Sequence, residues 1–136
     1  MIPISEQTGR RQIVMVVDDD AFIREVISVV LESELDVQVV QAEDGQDALR
    51  LLDGTKPAAI VTDVRMPHVD GVQLIRTLRR DVGTHGIPII VVAASRDARN
   101  DAVSAGADDY VDKPFGADDL VAKVRQYMGH RPQALA

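Results

Sequence analysis

Four short stretches of this chain end in groups that can do chemistry. The first apolar run, IVMVV, passes straight into Asp18, Asp19 and Asp20. A second, AAIVT, ends in Asp63; a third, IPIIVVAAS, closes on Ala93, Ala94 and Ser95; a fourth, DDYVD, ends in Lys113. Adjacent carboxylates repel one another and persist where a cation, a helix start or open water relieves them. Carboxylates and backbone carbonyls favour a hard cation. Mg²⁺ suits a site that offers one or two carboxylates and leaves several waters in place. A carboxylate beside such an ion can act as a nucleophile and form an aspartyl phosphate, with the metal and a lysine neutralising the arriving phosphoryl oxygens. Taken singly, each group has a plainer reading. Triple Asp at a strand–helix junction caps a helix, Asp63 closes a turn, and a lysine before Pro114 is solvated. Agreement between separate strand ends favours a site in which Asp18 and Asp19 hold a metal and Asp20 begins a helix.

Such a site needs a scaffold that gathers distant strand ends. Apolar runs rich in Val and Ile fall at 13–17, 37–41, 58–62 and 87–93, with a weaker one at 109–112. They are apolar on both faces, as strands of a covered parallel sheet are. Helical patterns separate them. In the first, Arg24, Glu25, Ser28 and Glu32 form a polar face and leave Phe22, Ile23, Val26, Ile27 and Val30 for the core. Ala48, Leu51 and Leu52, then Leu74, Ile75 and Leu78, then Leu120, Val124, Tyr127 and Met128 mark later helices; Asp44 is a cap for the second and Gly54 its stop. The alternation predicts a doubly wound α/β domain over residues 12–128, with five parallel strands and five flanking helices. In such sheets the working groups sit beyond the carboxyl ends of the strands. Residues 1–11 and 129–136 read as tails.

Composition narrows the function classes. The chain has 136 residues, 46% of them apolar, which suits one globular domain. Cysteine is absent, so disulfides and thiolate metal sites are excluded; this suits a cytoplasmic setting. No apolar run approaches the roughly 20 residues of a membrane-spanning helix. The net charge of −7 argues against direct DNA binding.

The segments VMVVDDDAFIRE, AAIVTDVRMPHVDG, IPIIVVAASRD and AGADDYVDKPF, in this order and spacing, resemble the receiver domains of two-component response regulators, the CheY type. The resemblance covers residues 12–128 and implies a flavodoxin-like sheet of order 2-1-3-4-5. It makes Asp63 the phosphoacceptor. It makes Asp18 and Asp19 the acidic pair that binds Mg²⁺ with Asp63, Asp19 directly and Asp18 partly through water, with the Arg65 backbone carbonyl as a further ligand. Lys113 becomes the lysine that pairs with the phosphoryl group, next to a cis bond to Pro114. The small Ala94 leaves room for that group and binds it through its backbone, and Tyr110 occupies the aromatic switch position.

One position departs from the family pattern. The fourth strand should end in Thr or Ser, and Ala93 stands there. The change removes a hydrogen bond worth about 0.5–1.5 kcal/mol, or about 1.5–3 kcal/mol to a charged group. Nucleophile, metal ligands and lysine remain. The expectation is that Asp63 is still phosphorylated while the response at Tyr110 is weaker or differently wired. Arg65 and Ser95 fall at the rim of the site, where they would tune the lifetime of the phosphoryl group.

The resemblance implies a stand-alone receiver that accepts a phosphoryl group from a sensor histidine kinase or a histidine phosphotransfer protein. Its signal would leave to a downstream protein through about residues 97–128. It would be a switch with autophosphorylation and autodephosphorylation chemistry, not an enzyme in the usual sense. Ala93 supports a rival: a constitutive interaction module of the same fold. An aspartyl-phosphate phosphatase is disfavoured, because the place two residues after the nucleophile, where a second acid is wanted, holds Arg65. His68, His85 and His130 show no metal-ligand spacing and read as surface residues.

Overall fold

The computed structural model describes residues 11–128. The two tail segments expected from the sequence lie almost wholly outside that range, as does His130. Five strands, β1 (Gln12–Val17), β2 (Val37–Ala42), β3 (Ala59–Asp63), β4 (Ile89–Ala93) and β5 (Asp109–Asp112), form one parallel sheet in the order β2-β1-β3-β4-β5. Between and after them run α1 (Ala21–Glu34), α2 (Gly45–Leu52), α3 (Gly71–Arg80), α4 (Arg96–Ala105) and α5 (Ala117–Met128). This is the doubly wound fold expected. Among the described residues, no helix is long and apolar enough to cross a membrane.

Side-chain alternation along the strands builds a core on each face of the sheet. Met15, Val17, Ile60, Ile89, Val91 and Ala93 face α2, α3 and α4. Val14, Val16, Val61, Ile90 and Val92 face α1 and α5. The fourth strand starts two residues later than its apolar run. Pro88 has no N–H to give to a ladder, but its carbonyl accepts from Ile60 N–H.

The first helix corrects the sequence reading. Its buried residues are Ile27, Ser28 and Leu31, while Phe22 is 73% exposed and Val26 is also exposed. Ile23, Ile27 and Leu31 recur at four-residue spacing and set the inward face, which places Phe22, Val26 and Val29 on the outer one. Ser28 can be buried because its hydroxyl donates to the Arg24 carbonyl at 2.7 Å.

Four of the five described helices have a side-chain cap at the N-terminus. Asp20 caps α1 by accepting from Phe22 and Ile23 N–H. Asp44 caps α2 and Asp70 caps α3, the latter in a reciprocal box with Gln73. Ser95 caps α4 through the Ala98 N–H. Gly54, at φ +125°, follows the end of α2 as expected.

Candidate functional site

The carboxyl ends of β1, β3, β4 and β5 meet at one edge of the sheet, because a parallel sheet points all its strands the same way. Asp63 is the last residue of β3 and is paired in register with Val92. Its Oδ1 accepts from Val64 N–H at 2.8 Å and lies 3.3 Å from Lys113 Nζ. Lys113 follows β5 directly. Its N–H donates to the Ala93 carbonyl at 2.8 Å, and its bond to Pro114 is cis, as expected.

Asp18 follows β1 and is nearly fully buried, at 1% exposure. Asp19 beside it is exposed. One carboxylate oxygen from each of Asp18, Asp19 and Asp63 lies within 4.8 Å of the others. Asp18 Oδ1 accepts from Asp20 N–H at 2.9 Å, whereas Oδ2 is buried with no hydrogen-bond partner among the described residues. A buried carboxylate oxygen left unpaired is costly, and a hydrated divalent cation is a group that would satisfy it. Burial pushes the Asp18 carboxyl up to about 6; the bond from Asp20 opposes the rise, and the Asp63 charge adds to it. The donor set is all oxygen, which suits Mg²⁺ and disfavours soft metals. The residues present therefore fit the metal.

Two features hold this cluster that the sequence did not reveal. Arg24 of α1 reaches back to the strand end: Nη1 donates to the Asp18 carbonyl at 2.8 Å and Nε to Gln41 Oε1 at 2.9 Å. It lay on the face read as plain polar surface. Gly71 opens α3 against β3. A Cβ there would sit 2.4 Å from the Asp63 carbonyl oxygen and 2.9 Å from Val64 Cα, and its N–H donates to the Val64 carbonyl at 2.7 Å. The glycine is required by close packing behind Asp63 and not by a turn; it is the first residue of the helix.

The remaining candidates are placed as follows. Ala93 is buried, faces the α2–α4 side and belongs to the same apolar cluster against which Tyr110 packs. No hydroxyl stands at this end of β4. Ser95, two residues beyond Ala93, commits its hydroxyl to capping α4. Ala94 is exposed, with nothing larger than its methyl over the site. Arg65 pairs with Asp101 of α4 at 3.2 Å, both side chains being largely exposed. His68, read as a plain surface residue, has φ +64° and holds Asp44 Oδ2 at 3.1 Å through Nδ1.

The comparisons with known proteins agree with this geometry. The family model described as response regulator receiver domain matches residues 14–125. This chain belongs to the receiver domain family of response regulators. The receiver is 39% identical over 114 residues to the phosphate regulon transcriptional regulatory protein PhoB of Pseudomonas aeruginosa, covering 82% of this chain and 49% of that protein. It is 37% identical over 118 residues to the DNA-binding response regulator MtrA of Mycolicibacterium paratuberculosis, covering 85% of this chain and 50% of the other. The receiver thus spans about half the length of these relatives. Among solved structures it is similar to the receiver domain of a Pseudomonas aeruginosa sensor histidine kinase, with 30% identity, a TM-score of 0.81, and coverage of 88% and 98% of the two chains. That neighbour has a magnesium ion coordinated in its active-site cleft. Receiver domains of this family bind Mg²⁺ at an acidic pocket, and this chain has a cluster of Asp18, Asp19 and Asp63 at the same edge of its sheet.

Proposed function

We propose that the receiver accepts a phosphoryl group on Asp63 from a phosphohistidine of a sensor histidine kinase or a histidine phosphotransfer protein. The observation that carries this reading is the convergence of Asp63 with Lys113, at 3.3 Å, and with two further carboxylates that leave a buried oxygen unpaired. An Asp63 carboxylate oxygen forms the new O–P bond as the N–P bond to the donor imidazole breaks, and the electron pair stays with that nitrogen. Lys113 follows the transferred group and pairs with its oxygens. The exposed Ala94 leaves space for them and its backbone N–H can donate.

Asp18, Asp19, Asp63 and the Arg65 carbonyl would hold Mg²⁺. When bound, the ion offsets the charge of the acidic cluster and of the phosphoryl oxygens. Hydrolysis of the aspartyl phosphate is the receiver's own slow reaction, tuned at the rim by Arg65 and Ser95. The output surface is α4, β5 and α5, about residues 97–128, where a downstream protein would bind.

Ala93 favours a second reading, a constitutive interaction module that phosphate does not switch. Intact-mass analysis with Mg²⁺ and acetyl phosphate separates the two. One phosphoryl adduct, absent from Asp63→Asn and abolished by a chelator, supports the acceptor. No adduct from acetyl phosphate or from a histidine-kinase donor favours the constitutive module.

A further inference from the structure

Ala93 leaves the end of β4 without a hydroxyl, so a receiver switched at Asp63 would need another link between its phosphoryl site and α4. Arg99, on α4, is placed to supply one. Its guanidinium carbon lies 4.6 Å from the Tyr110 ring centroid, and its Nη1 lies 3.4 Å from both carboxylate oxygens of Asp112. Tyr110 and Asp112 alternate along β5 and so present side chains to one face of the sheet. One α4 side chain therefore grips both. Asp112 immediately precedes Lys113, the residue that pairs with Asp63. The Tyr110 ring also meets Lys123 of α5, whose Nζ is 5.0 Å from the centroid and is held by Asp109 Oδ1 at 2.8 Å and the Tyr110 carbonyl at 2.7 Å. The ring thus touches cations from two helices, and of these two only Arg99 also reaches the strand end that carries Lys113.

We propose that Arg99 is the positioning residue that transmits events at Lys113 and Asp63 to Tyr110 and α4, in place of the hydroxyl missing at Ala93. This rests on the phosphoacceptor reading of Asp63. A shift of Lys113 towards a phosphoryl group displaces Asp112 beside it. The Asp112–Arg99 pair then loads α4 directly, and the ring of Tyr110 moves with the guanidinium that covers it. The Arg99–Asp112 pair is long, at 3.4 Å, and Asp112 is largely exposed, so the grip is loose enough to be rearranged by a newly bound charged group.

The test uses the chain as it is, with amide NMR and hydrogen exchange. In the resting protein, Arg99→Gln should speed α4 amide exchange about two- to fivefold, the factor that follows from losing one cation–π contact, and Arg99→Lys should restore most of the protection. With Mg²⁺ and beryllofluoride as the phosphoryl mimic, wild type should show shifts at Asp63, Lys113, Tyr110 and α4. Arg99→Gln should keep those at Asp63 and Lys113 and lose more than half of those in α4. Adding Ala93→Thr to Arg99→Gln should bring the α4 response back, which a merely structural role for Arg99 would not produce. An α4 response in Arg99→Gln equal to wild type overturns the coupling role alone. No response at Asp63 in wild type overturns the acceptor reading and the coupling with it.

Discussion

Lys113 Nζ lies 3.3 Å from Asp63 Oδ1, a contact that joins the ends of β5 and β3 across the intervening β4. The ammonium therefore shares a carboxylate with the acidic cluster that would take Mg²⁺, and the two cations compete for its charge. Lys113→Met should bind Mg²⁺ more tightly than wild type, by up to about fivefold, the range expected for loss of a partly exposed ion pair. It should at the same time take up phosphoryl groups more slowly. Calorimetric Mg²⁺ titration and adduct accumulation check the two directions separately.

The buried Asp18 carboxyl, pushed up to about 6, gives a pH dependence of definite sign. Its ordinary value is 3.8, so between these two points the folded metal-free chain binds more protons than the unfolded one. The contribution of Asp18 to stability should fall as pH rises through this window and stay low above it. Metal-free Asp18→Asn should consequently be more stable than wild type at pH 7, by about 1–3 kcal/mol. Mg²⁺ requires the carboxylate, so its affinity should weaken as pH falls below about 6. Urea unfolding with and without Mg²⁺ from pH 4 to 8 measures both.

Gly71→Ala places a methyl group 2.4 Å from the Asp63 carbonyl oxygen. The backbone has to move, at a cost of about 1–3 kcal/mol, and the start of α3 moves away from the nucleophile. The substitution should lower the thermal midpoint and weaken Mg²⁺ binding together, although residue 71 carries no ligand. Thermal unfolding and Mg²⁺ titration of the same sample check this.

Arg24→Gln removes the bond to the Asp18 carbonyl and the bridge to Gln41. A hydrogen bond from a charged donor is worth about 1.5–3 kcal/mol when well made. The partial exposure of Arg24 places the expected loss of stability at the lower end of that range. Mg²⁺ affinity should fall as the end of β1 loosens, whereas Glu34→Gln at the exposed far end of α1 should change neither quantity.

Much of this was legible because it depends on local patterns. Five Val- and Ile-rich runs separated by helical spacing specify a covered parallel sheet, and that topology alone brings Asp18, Asp63, Ala93 and Lys113 to one edge. Asp20, Asp44 and Gly54 mark helix ends through short-range chemistry that a sequence displays directly. What stayed hidden depends on long side chains choosing distant partners. Arg24 reaches the carbonyl of Asp18, just past the end of β1. Arg79 donates to Gly106, His85 and Ile87 carbonyls and pairs with Asp108 at 2.8 Å, though a helix-terminal arginine reads as a charge suited to the dipole. The exposed Phe22 and Val26 misled the periodicity of α1 because apolar residues there occupy two faces, and Ser28 went inward once its hydroxyl had found a helix carbonyl. Tyr110 could be picked out from its place in the chain, but the cations against its ring come from two different helices.

Whether Asp63 is the residue that carries the phosphoryl group is decided directly by one measurement. The chain is incubated with Mg²⁺ and phosphoramidate, a donor with the N–P bond of phosphohistidine, then reduced with borohydride and mapped by peptide mass spectrometry. Borohydride converts an aspartyl phosphate to homoserine. Homoserine is expected at position 63 alone, dependent on Mg²⁺ and undiminished by Ala93→Thr. Homoserine at Asp18 or Asp19, or a phosphoryl adduct that persists in Asp63→Asn, would contradict that role for Asp63.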